Sequence, residues 1–525
     1  MPRDTQQSRF STGLRVTDLD DFLPSSTACV LPLQGGLPPP GSVAAPVYSH
    51  NAHDANGETN TPVARVTLSD CLSCSGCITS AETVLLATHS VDNFVTACSQ
   101  SADAFGAVVV APAVVASLAS VWKLAEIESV LERIQTIFDK FGAFAVVLNS
   151  VGRCLSVLET CAQAVERLQP DQNDGSGAQQ PLFASACPGW TFYVEKTQPH
   201  LVSCLATAKS PQAMMQLLVR HELGEHAWTV SIAPCYDKKL ESQRDAKDSE
   251  HVFVLTATEV LELAERAPPH MPNDARRQLR ISQQVSALTK FRGAWWATFG
   301  GLSGGYAVEV FRYVAQYVFK HRVSDAVLEP AAVRERNPDL RQLLLYQHRS
   351  SGDFVVNFRP VIADDDLQLR YSVATAYGFR NIQNIVRQYK HTGRCNWNFV
   401  EVMACPGGCG NGNGLWVVQD TPTSTPVSAE SVAPVANRVF AQRTRQERIQ
   451  EMERSLQRLP CYHVDELPQL RELWATLREA EPQSLRFEFC GFNDRQQQEA
   501  TYRQQDGDIK SQVTVSERHR LVHQW

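Results

Sequence analysis

Two cysteines separated by three residues stand in the glycine-rich stretch VMACPGGCGNGNG, residues 402–414. A tight turn accounts for the glycines and a buried core accounts for one cysteine, but neither accounts for both thiols. Glycine lets other groups approach the backbone closely, and two thiols about one helical turn apart can bind metal. Cys405 and Cys409 therefore predict a site where a bulky inorganic group lies against the backbone.

Two more cysteines stand where a strand or a loop gives way to a helix. Cys187 directly precedes Pro188 in ASACPGW, and proline favours the first position of a helix, so Cys187 is predicted to be an N-cap. Cys235 follows the predicted strand of TVSIAPC, just before the helical stretch DKKLE. The N-terminus of a helix stabilises a thiolate through the macrodipole and free backbone N–H groups.

Four thiolates bind a cubane iron–sulfur cluster, and N–H donors to the cluster sulfurs tune its potential. The sequence therefore predicts one cluster whose ligands come from distant parts of the chain: Cys187, Cys235, Cys405 and Cys409. Zinc is the alternative for four thiolates. Zinc sites typically use paired C-x2–4-C knuckles, however, whereas here two single cysteines and one C-x3-C pair must converge.

A second set of cysteines lies near the N-terminus in CLSCSGC. Cys71, Cys74 and Cys77 follow the C-x2-C-x2-C run of bacterial-type ferredoxin sites, although the next residues, ITSAETV, lack the usual fourth cysteine and proline. The fourth ligand must come from elsewhere. Cys29 is the candidate upstream and Cys98 is the competing candidate downstream. A zinc site or a disulfide is the alternative for the triplet.

The composition is that of a globular protein of 525 residues, 43% of them hydrophobic and 20% charged. A net charge of −7 and a pI near 6.1 offer no global basic field for nucleic acid or an anionic membrane. Fifteen cysteines, three of them too closely spaced to pair, favour a reducing compartment. The N-terminus lacks the apolar region of a signal peptide. The other cysteines are interpreted as small core hydrophobes: Cys154, Cys161, Cys204, Cys395, Cys461 and Cys490.

The order of strand and helix signals divides the chain into four parts. These are an N-terminal arm with a Pro-rich linker (1–65, linker 31–62), a ferredoxin-like cysteine segment (66–100), an α/β region of two lobes (101–420), and a C-terminal loop, helix and tail (421–525). Between 104 and 168, the strand runs AVVVA and AFAVVLN alternate with helical segments, as in an open α/β sheet. Residues 104–122 carry no charge, but Pro112 divides them into a buried strand, a turn and a helix rather than a membrane span.

Three later segments are predicted from their periodicity. GGYAVEVFRYVAQYVFK is predicted to be a helix with Val310, Phe311, Val314 and Val318 on one face. DLQLRYSVATAYGFRNIQNIVRQYK is predicted to be a strand followed by a helix. Residues 438–459 have the spacing of an exposed amphipathic helix.

The cysteine frames resemble a known family. ASACPGW, APCYDKKLE and FVEVMACPGGCGNGNG are similar, in order and spacing, to the three signature motifs of iron-only hydrogenases, and FGGLSGGYAVEVFRYVA resembles a glycine-rich stretch of that fold. LDDFLPSSTACV, SACPGWTFYVEK, AKSPQ and AYGFRNIQNIV look like the eukaryotic hydrogenase-like branch. That branch comprises cytosolic iron–sulfur assembly factors and the nuclear prelamin A recognition factor (NARF). The resemblance runs from about residue 15 to residue 415.

The resemblance implies an iron-only hydrogenase-like fold of two α/β lobes with parallel sheets, two tetranuclear [4Fe-4S] clusters and no enzymatic activity. Cys29, Cys71, Cys74 and Cys77 would hold one cluster near the surface, and the other four candidates would hold a cluster buried between two α/β lobes. The implied role is that of an adaptor that links an early scaffold NTPase to the late targeting complex, which contains a WD40 propeller protein and associated subunits. The implied location is the cytoplasm, with the nucleus as a second compartment, and neither nucleic acid nor membrane is an implied partner.

The sequence departs from the hydrogenase motifs at several positions. Ala186 stands where the enzymes carry a cysteine that donates protons to the active metal, and Ala233 replaces a methionine. Asn413 and Leu415 interrupt the glycine tail, whereas Lys238 is retained; a helix-terminal or surface position is the plain alternative to a functional role for that lysine. The chain ends in LVHQW, and its aromatic terminus resembles that of clients and adaptors of the targeting complex. For Trp525, docking against the fold is the alternative.

Three other functions are consistent with parts of this pattern. A hydrogen-evolving or hydrogen-oxidising enzyme shares the motifs, but Ala186 argues against it because alanine has no exchangeable proton. A plain electron carrier would use the N-terminal cluster alone, and the large C-terminal region argues against it because that function would not require it. A nuclear prelamin-binding protein of the same branch is poorly separated by sequence alone.

Overall fold

The computed structural model describes residues 29–32, 63–66, 88–101, 104–168, 180–242, 244, 251–266, 280–284, 297–298, 301–334, 336–361, 364–415, 445–456, 461–480 and 482–489. The chain divides into two compact units, Met1–Thr79 and Ser80–Trp525. In the first unit, strand β1 (Cys29–Pro32) pairs antiparallel with β2 (Val63–Val66), and Cys29 lies opposite Val66. The predicted linker at 31–62 therefore begins inside a strand.

The second unit contains a parallel sheet whose strand order is β4-β3-β6-β7. Its strands are β3 (Phe105–Val110), β4 (Ala143–Leu148), β6 (Trp228–Ala233) and β7 (Val252–Thr256). Successive side chains of a strand point to opposite faces. Both faces are buried here, since Ala107 and Val109 belong to one apolar cluster whereas Val108 and Val110 belong to another. This double burial explains the continuous apolar runs of the sequence and confirms the α/β prediction for this region.

A second sheet of mixed direction has the order β11-β10-β12-β13-β5, with β9 also paired to β10. The strands β5, β12 and β13 are parallel, whereas β9, β10 and β11 are antiparallel. The bounds are β5 (Leu182–Ala184), β9 (Ala331–Arg334), β10 (Asn337–His348), β11 (Phe354–Asn357), β12 (Leu367–Tyr377) and β13 (Phe399–Met403). The two-lobed α/β fold is thus confirmed, but the second sheet is parallel only in part. A third, short parallel pair joins β8 (Ala297–Thr298) to β14 (Cys461–Tyr462).

Helices α4, α6 and α9 share one apolar cluster with strands of both large sheets and so lie between them. Helices α1, α2, α3 and α8 cover the other face of the first sheet, and α5 and α10 cover that of the second. The bounds are α1 (Val91–Gln100), α2 (Pro112–Trp122), α3 (Ile127–Phe138), α4 (Ser150–Leu168), α5 (Pro188–Thr197), α6 (Pro211–Leu223), α7 (Asp237–Glu241), α8 (Ala257–Arg266), α9 (Tyr306–Tyr317), α10 (Phe379–Thr392), α11 (Arg445–Leu456) and α12 (Pro468–Ala480).

Two helix predictions need correction. Val310, Phe311 and Val314 are fully buried on α9 as predicted, but the helix ends at Tyr317 and Val318 is 37% exposed. The helix predicted at 438–459 is α11, and its apolar side is covered rather than exposed. Met452 is 5% exposed, because it packs with Leu302 around the loop that follows Cys409.

The strand, turn and helix predicted at 104–122 are confirmed as β3 and α2, with Pro112 at the first position of the helix. Within the described parts of the chain, no helix is both long enough and apolar enough to cross a membrane.

Candidate metal centre

The four predicted ligands of the buried cluster follow the carboxyl ends of parallel strands. Cys187 follows β5 and Cys405 follows β13, which are neighbours in the mixed sheet, while Cys235 follows β6 of the parallel sheet. Cys409 lies four residues beyond Cys405, in the 3-10 turn Gly408–Asn411. Carboxyl ends of parallel strands are the usual position of binding sites in α/β folds. Both sheets therefore contribute ligands to the same candidate site.

Cys187 is the N-cap of α5, as predicted, with Pro188 at the first helical position. Ser185 fixes this turn, because its Oγ accepts a hydrogen bond of 2.9 Å from the Cys187 N–H and donates to the carbonyl of Val402 in β13. The pKa of the Cys187 thiol is raised to about 12, mainly by burial and to a smaller extent by nearby Asp237, while N–H donors from neighbouring backbone act in the opposite direction.

Cys235 lies in the turn between β6 and α7. The loop of residues 412–414 fastens this turn: the side chain of Asn413 accepts from the Tyr236 N–H at 3.1 Å, and the Gly414 N–H donates to the Pro234 carbonyl at 2.8 Å. A Cβ atom at Gly412 would lie 2.3 Å from the same carbonyl, so this contact requires glycine. Asn413, which departs from the hydrogenase motif, thus connects the second and third motifs.

The thiol of Cys235 is within electrostatic range of the other three thiols. Burial raises the pKa of the Cys235 thiol well above its usual value, and smaller contributions come from Asp237 and then from the other three thiols, those of Cys187, Cys405 and Cys409. Burial also raises the pKa of Cys409, opposed by the nearby cations Lys238 and Arg153. The pocket therefore needs positive charge or metal to hold these groups as thiolates.

Asp237 is a buried carboxyl beside the thiols. Burial raises its pKa to about 7, opposed by its own backbone N–H and by Lys238. Its Oδ1 atom is buried with no hydrogen-bond partner. A Cβ atom at Gly189 would lie 2.9 Å from Asp237 Oδ2 and 3.7 Å from Cys187 Sγ, so Gly189 keeps the space between these two groups open.

Lys238 lies in a terminal turn of α7, as the plain alternative expected, but it is buried and not a surface residue. Its Nζ lies 2.5 Å from Glu241 Oε2 and 3.3 Å from Ser210 Oγ, with the lysine 8% and the glutamate 6% exposed. A small cavity of about 10 Å³ lies next to this group. Its lining includes Ala186 and Cys187, together with Ser210 and Glu241. A cavity of that size holds about one water molecule.

The other predicted ligands fall into two groups. Cys98 lies on α1 within the apolar core, 7% exposed, and burial raises the pKa of its thiol to about 12. The backbone of Cys29 is in β1, whereas Cys71, Cys74, Cys77 and Trp525 lie outside the described residues. Among the described side chains, all cysteines are free thiols, and no three His, Cys, Asp or Glu groups are placed to hold one single metal ion.

Several residues around the site were not predicted from the sequence. Glu401 is fully buried in β13, accepting from the Ala307 N–H at 2.9 Å and from the Tyr377 hydroxyl at 3.0 Å. Arg153, 4% exposed on α4, donates to the Gly301 carbonyl at 2.8 Å. An acidic residue inside the apolar run FVEVM was the signal that could have indicated Glu401, since a buried charge needs partners.

Comparison with known proteins assigns the family. Residues 105–413 match the model for "Iron only hydrogenase large subunit, C-terminal domain", which is more than half of the chain. The chain belongs to the iron-only hydrogenase family. Within this family it is similar to Protein NAR1 of Arabidopsis thaliana, at 34% identity over 77% of this chain and 84% of that protein. It is also similar to the cytosolic iron-sulfur assembly component 3 of Rattus norvegicus, at 34% identity over 79% of this chain and 86% of that protein.

Solved structures agree on the fold. The fold is similar to that of a variant of the [FeFe]-hydrogenase HydA1 from Chlamydomonas reinhardtii, with a TM-score of 0.52 and 19% sequence identity. The superposition covers 76% of this chain and 98% of the hydrogenase chain. Two residues that depart from the family motifs are part of the core here: Ala233 is 3% and Leu415 is 4% exposed. The family model and the relatives confirm the family resemblance, and the solved structure confirms the α/β fold inferred from the motifs.

Proposed function

We propose that this chain is a cluster-carrying, non-enzymatic adaptor of cytosolic iron–sulfur protein assembly. The observation that carries the proposal is the convergence of Cys187, Cys235, Cys405 and Cys409 at the strand ends of two sheets, in a chain whose relatives are named as assembly components. The proposed role is to link the early scaffold NTPase to the WD40-containing targeting complex and to aid cluster insertion into apoproteins. The proposed location is the cytoplasm, with the nucleus as a second compartment.

The donor set of the buried site fits a tetranuclear cluster. Four thiols are near one another, and backbone N–H groups of Ala404 and Trp190 hydrogen-bond the Cys187 sulfur. In such a cluster each thiolate binds its own iron, so the four thiols need not meet at one ion. Lys238 and Arg153 supply positive charge near Cys409. When bound, the cluster would supply one-electron chemistry and a transferable iron–sulfur unit.

A second tetranuclear cluster is proposed for Cys29, Cys71, Cys74 and Cys77. The pairing of β1 with β2 supports Cys29 as the fourth ligand, because it places the Cys29 backbone opposite Val66, five residues before Cys71. Cys98 is disfavoured by its position in the apolar core, where it packs on α1 with Phe94.

The alternative of a hydrogen-converting enzyme rests on the shared fold. Three features of the site argue against it: Ala186 has no exchangeable proton, Lys238 is engaged by Glu241, and the cavity lined by Ala186 and Glu241 has a volume of only about 10 Å³.

A nuclear prelamin-binding role is the remaining alternative. Its test is whether the purified chain binds a farnesylated prelamin tail.

The proposed function predicts two measurable properties. Anaerobically purified protein should contain about eight iron and eight acid-labile sulfide per chain, with two EPR signals after reduction, as expected for two tetranuclear clusters. Depletion of the protein from cells should lower the activity of a cytosolic [4Fe-4S] enzyme while a mitochondrial one keeps its activity. Normal cytosolic activity after depletion would contradict the assembly role.

A further inference from the structure

A serine hydroxyl contacts the backbone of one proposed cluster ligand. Ser303 lies in the turn at residues 301–305 that precedes α9 and is 7% exposed. Its Oγ accepts a hydrogen bond of 3.0 Å from the Cys409 N–H. A Cβ atom at position 408 would lie 2.0 Å from this oxygen, so Gly408, whose φ is +73°, is required for the approach. Gly408 therefore permits both the tight turn next to Cys409 and the close contact with the Ser303 hydroxyl.

The hydroxyl hydrogen of Ser303 has two possible acceptors. The sulfur of Cys409 and the hydroxyl oxygen of Tyr377 both lie within reach of the Ser303 hydroxyl, which can donate its single hydrogen to only one of them at a time. The Tyr377 hydroxyl donates its own hydrogen to Glu401 Oε1 at 3.0 Å, and Glu401 Oε2 accepts from the Ala307 N–H of α9. Tyr377 and Glu401 are thus paired with each other and with the N-terminus of α9, and Tyr377 competes with the Cys409 sulfur for the hydrogen of Ser303.

We infer that Ser303 is a positioning residue that fixes Cys409 as a cluster ligand and raises the reduction potential of the buried cluster. This inference rests on the proposed four-cysteine site. Because Ser303 accepts from the N–H and donates to the sulfur of the same residue, it holds both the backbone and the side chain of Cys409. A hydrogen bond to a ligand sulfur stabilises the reduced cluster, which carries the greater negative charge, more than the oxidised one.

The test is the midpoint potential of the buried cluster, measured by EPR at poised potentials in anaerobically loaded full-length protein. In Ser303→Ala the ratio of reduced to oxidised cluster at a fixed potential should fall about tenfold, which is a shift of 59 mV to lower potential for a one-electron couple. Ser303→Thr keeps the hydroxyl and should restore most of the potential. Tyr377→Phe removes the competing acceptor, leaves the Ser303 hydroxyl free to donate to the Cys409 sulfur, and should not lower the potential.

Each outcome separates this inference from the proposed function. A wild-type protein without a buried-cluster signal contradicts the four-cysteine site itself. A signal with the same potential in wild type and Ser303→Ala leaves the site intact and overturns the role of Ser303. Loss of the cluster from Ser303→Ala with retention in Ser303→Thr supports the positioning role. A fall in potential in Tyr377→Phe as large as that in Ser303→Ala would show that the effect does not come from the Ser303 hydroxyl and would overturn the inference.

Discussion

The ammonium of Lys238 lies 2.5 Å from the carboxylate of Glu241, and both side chains are almost completely buried beside the cysteine site. Lys238 also donates to Ser210, so its charge is held within the fold. A buried charge without its partner is costly, whereas an exposed pair contributes little. The lysine retained from the hydrogenase motif thus has a structural partner in this chain.

Replacing Glu241 should therefore destabilise the protein strongly. Glu241→Gln leaves the Lys238 ammonium buried against a neutral amide and should lower the free energy of unfolding by about 3 kcal/mol, measured by urea denaturation of cluster-free protein. Glu225→Gln is the matched control. Its partner Arg220 lies at the same 2.5 Å, but the Glu225 side chain is 72% exposed, so the loss should be below about 1 kcal/mol. Equal losses in the two variants would show that burial of the Lys238 pair is unimportant.

Removal of two buried ligands should halve the metal content. Cys235→Ala/Cys409→Ala is expected to lose about half of the bound iron and to destabilise the fold, because metal binding contributes to the free energy of folding. Iron and acid-labile sulfide are measured after anaerobic reconstitution. Cys161→Ala is the control, since this thiol is fully buried on α4 and the charged groups near it are Glu309 and Arg312. Full iron content in the double variant would reject the assignment.

At the N-terminal site, Cys29 rather than Cys98 is expected to complete the ligand set. Cys29→Ala should abolish the EPR signal of the N-terminal cluster, while Cys98→Ala should leave it unchanged. This cluster should also be the more labile one toward chelators, because a short cysteine segment shields it poorly. The assignment fails if Cys98→Ala removes the signal and Cys29→Ala does not.

A buried histidine predicts how stability depends on pH. His463 Nδ1 lies 2.7 Å from Glu309 and Nε2 lies 3.0 Å from Asp325. Burial lowers the pKa of His463, but the hydrogen bond and charge of Glu309 outweigh burial, so the pKa rises above 6.5. A raised pKa means that the folded state binds the proton more tightly than the unfolded state.

The contribution of His463 should therefore be complete below pH 6.5 and should disappear as the pH rises through the folded-state pKa. The difference in unfolding free energy between wild type and His463→Gln, which cannot titrate, should shrink steadily from pH 6 toward about pH 9. A difference that stays constant or grows over this range would contradict the raised pKa.

How much was predictable from the sequence depended on whether a signal was local. Neighbouring residues were enough to predict two helix starts: Cys187 precedes Pro188, and Pro112 follows a β-branched run. The structure confirms both predictions. The burial of Met452 and of Lys238 depends on distant segments of the chain. Met452 lies near Leu302, and Lys238 donates to Ser210. Periodicity alone cannot distinguish a covered amphipathic helix from an exposed one, because both have one apolar face.

The mixed direction of the second sheet was missed for a related reason. The sequence indicates β12 followed by α10, and a strand followed by a helix suggests a parallel crossover. That crossover is present, since β12 and β13 pair parallel, but β10 and β12 pair antiparallel from Leu340↔Ala376 to His348↔Leu367, with β11 between them in the chain. Direction depends on which strands pair, and that pairing is decided by tertiary contacts rather than by the local pattern.

The chain is also expected neither to make nor to consume hydrogen when fully loaded with clusters. Turnover needs a group with an exchangeable proton within hydrogen-bond reach of the reacting metal. Ala186 offers only a methyl group beside Cys187, and Lys238 is held by Glu241. The cavity lined by Ala186, Cys187 and Glu241 has a volume of about 10 Å³, which is room for about one water molecule.

The measurement is hydrogen evolution from reduced methyl viologen by anaerobically reconstituted protein, with cluster-free protein as the control. Ala186→Cys restores the thiol of the family motif at this position. It should remain as inactive as the wild type, because the ion pair of Lys238 is kept and the cavity, which Ala186 lines, gains no room from a larger side chain. If only Ala186→Cys evolved hydrogen, the missing thiol alone would account for the inactivity of the wild type. Hydrogen evolution by the unmodified protein, clearly above the control, would overturn the adaptor and establish the enzyme.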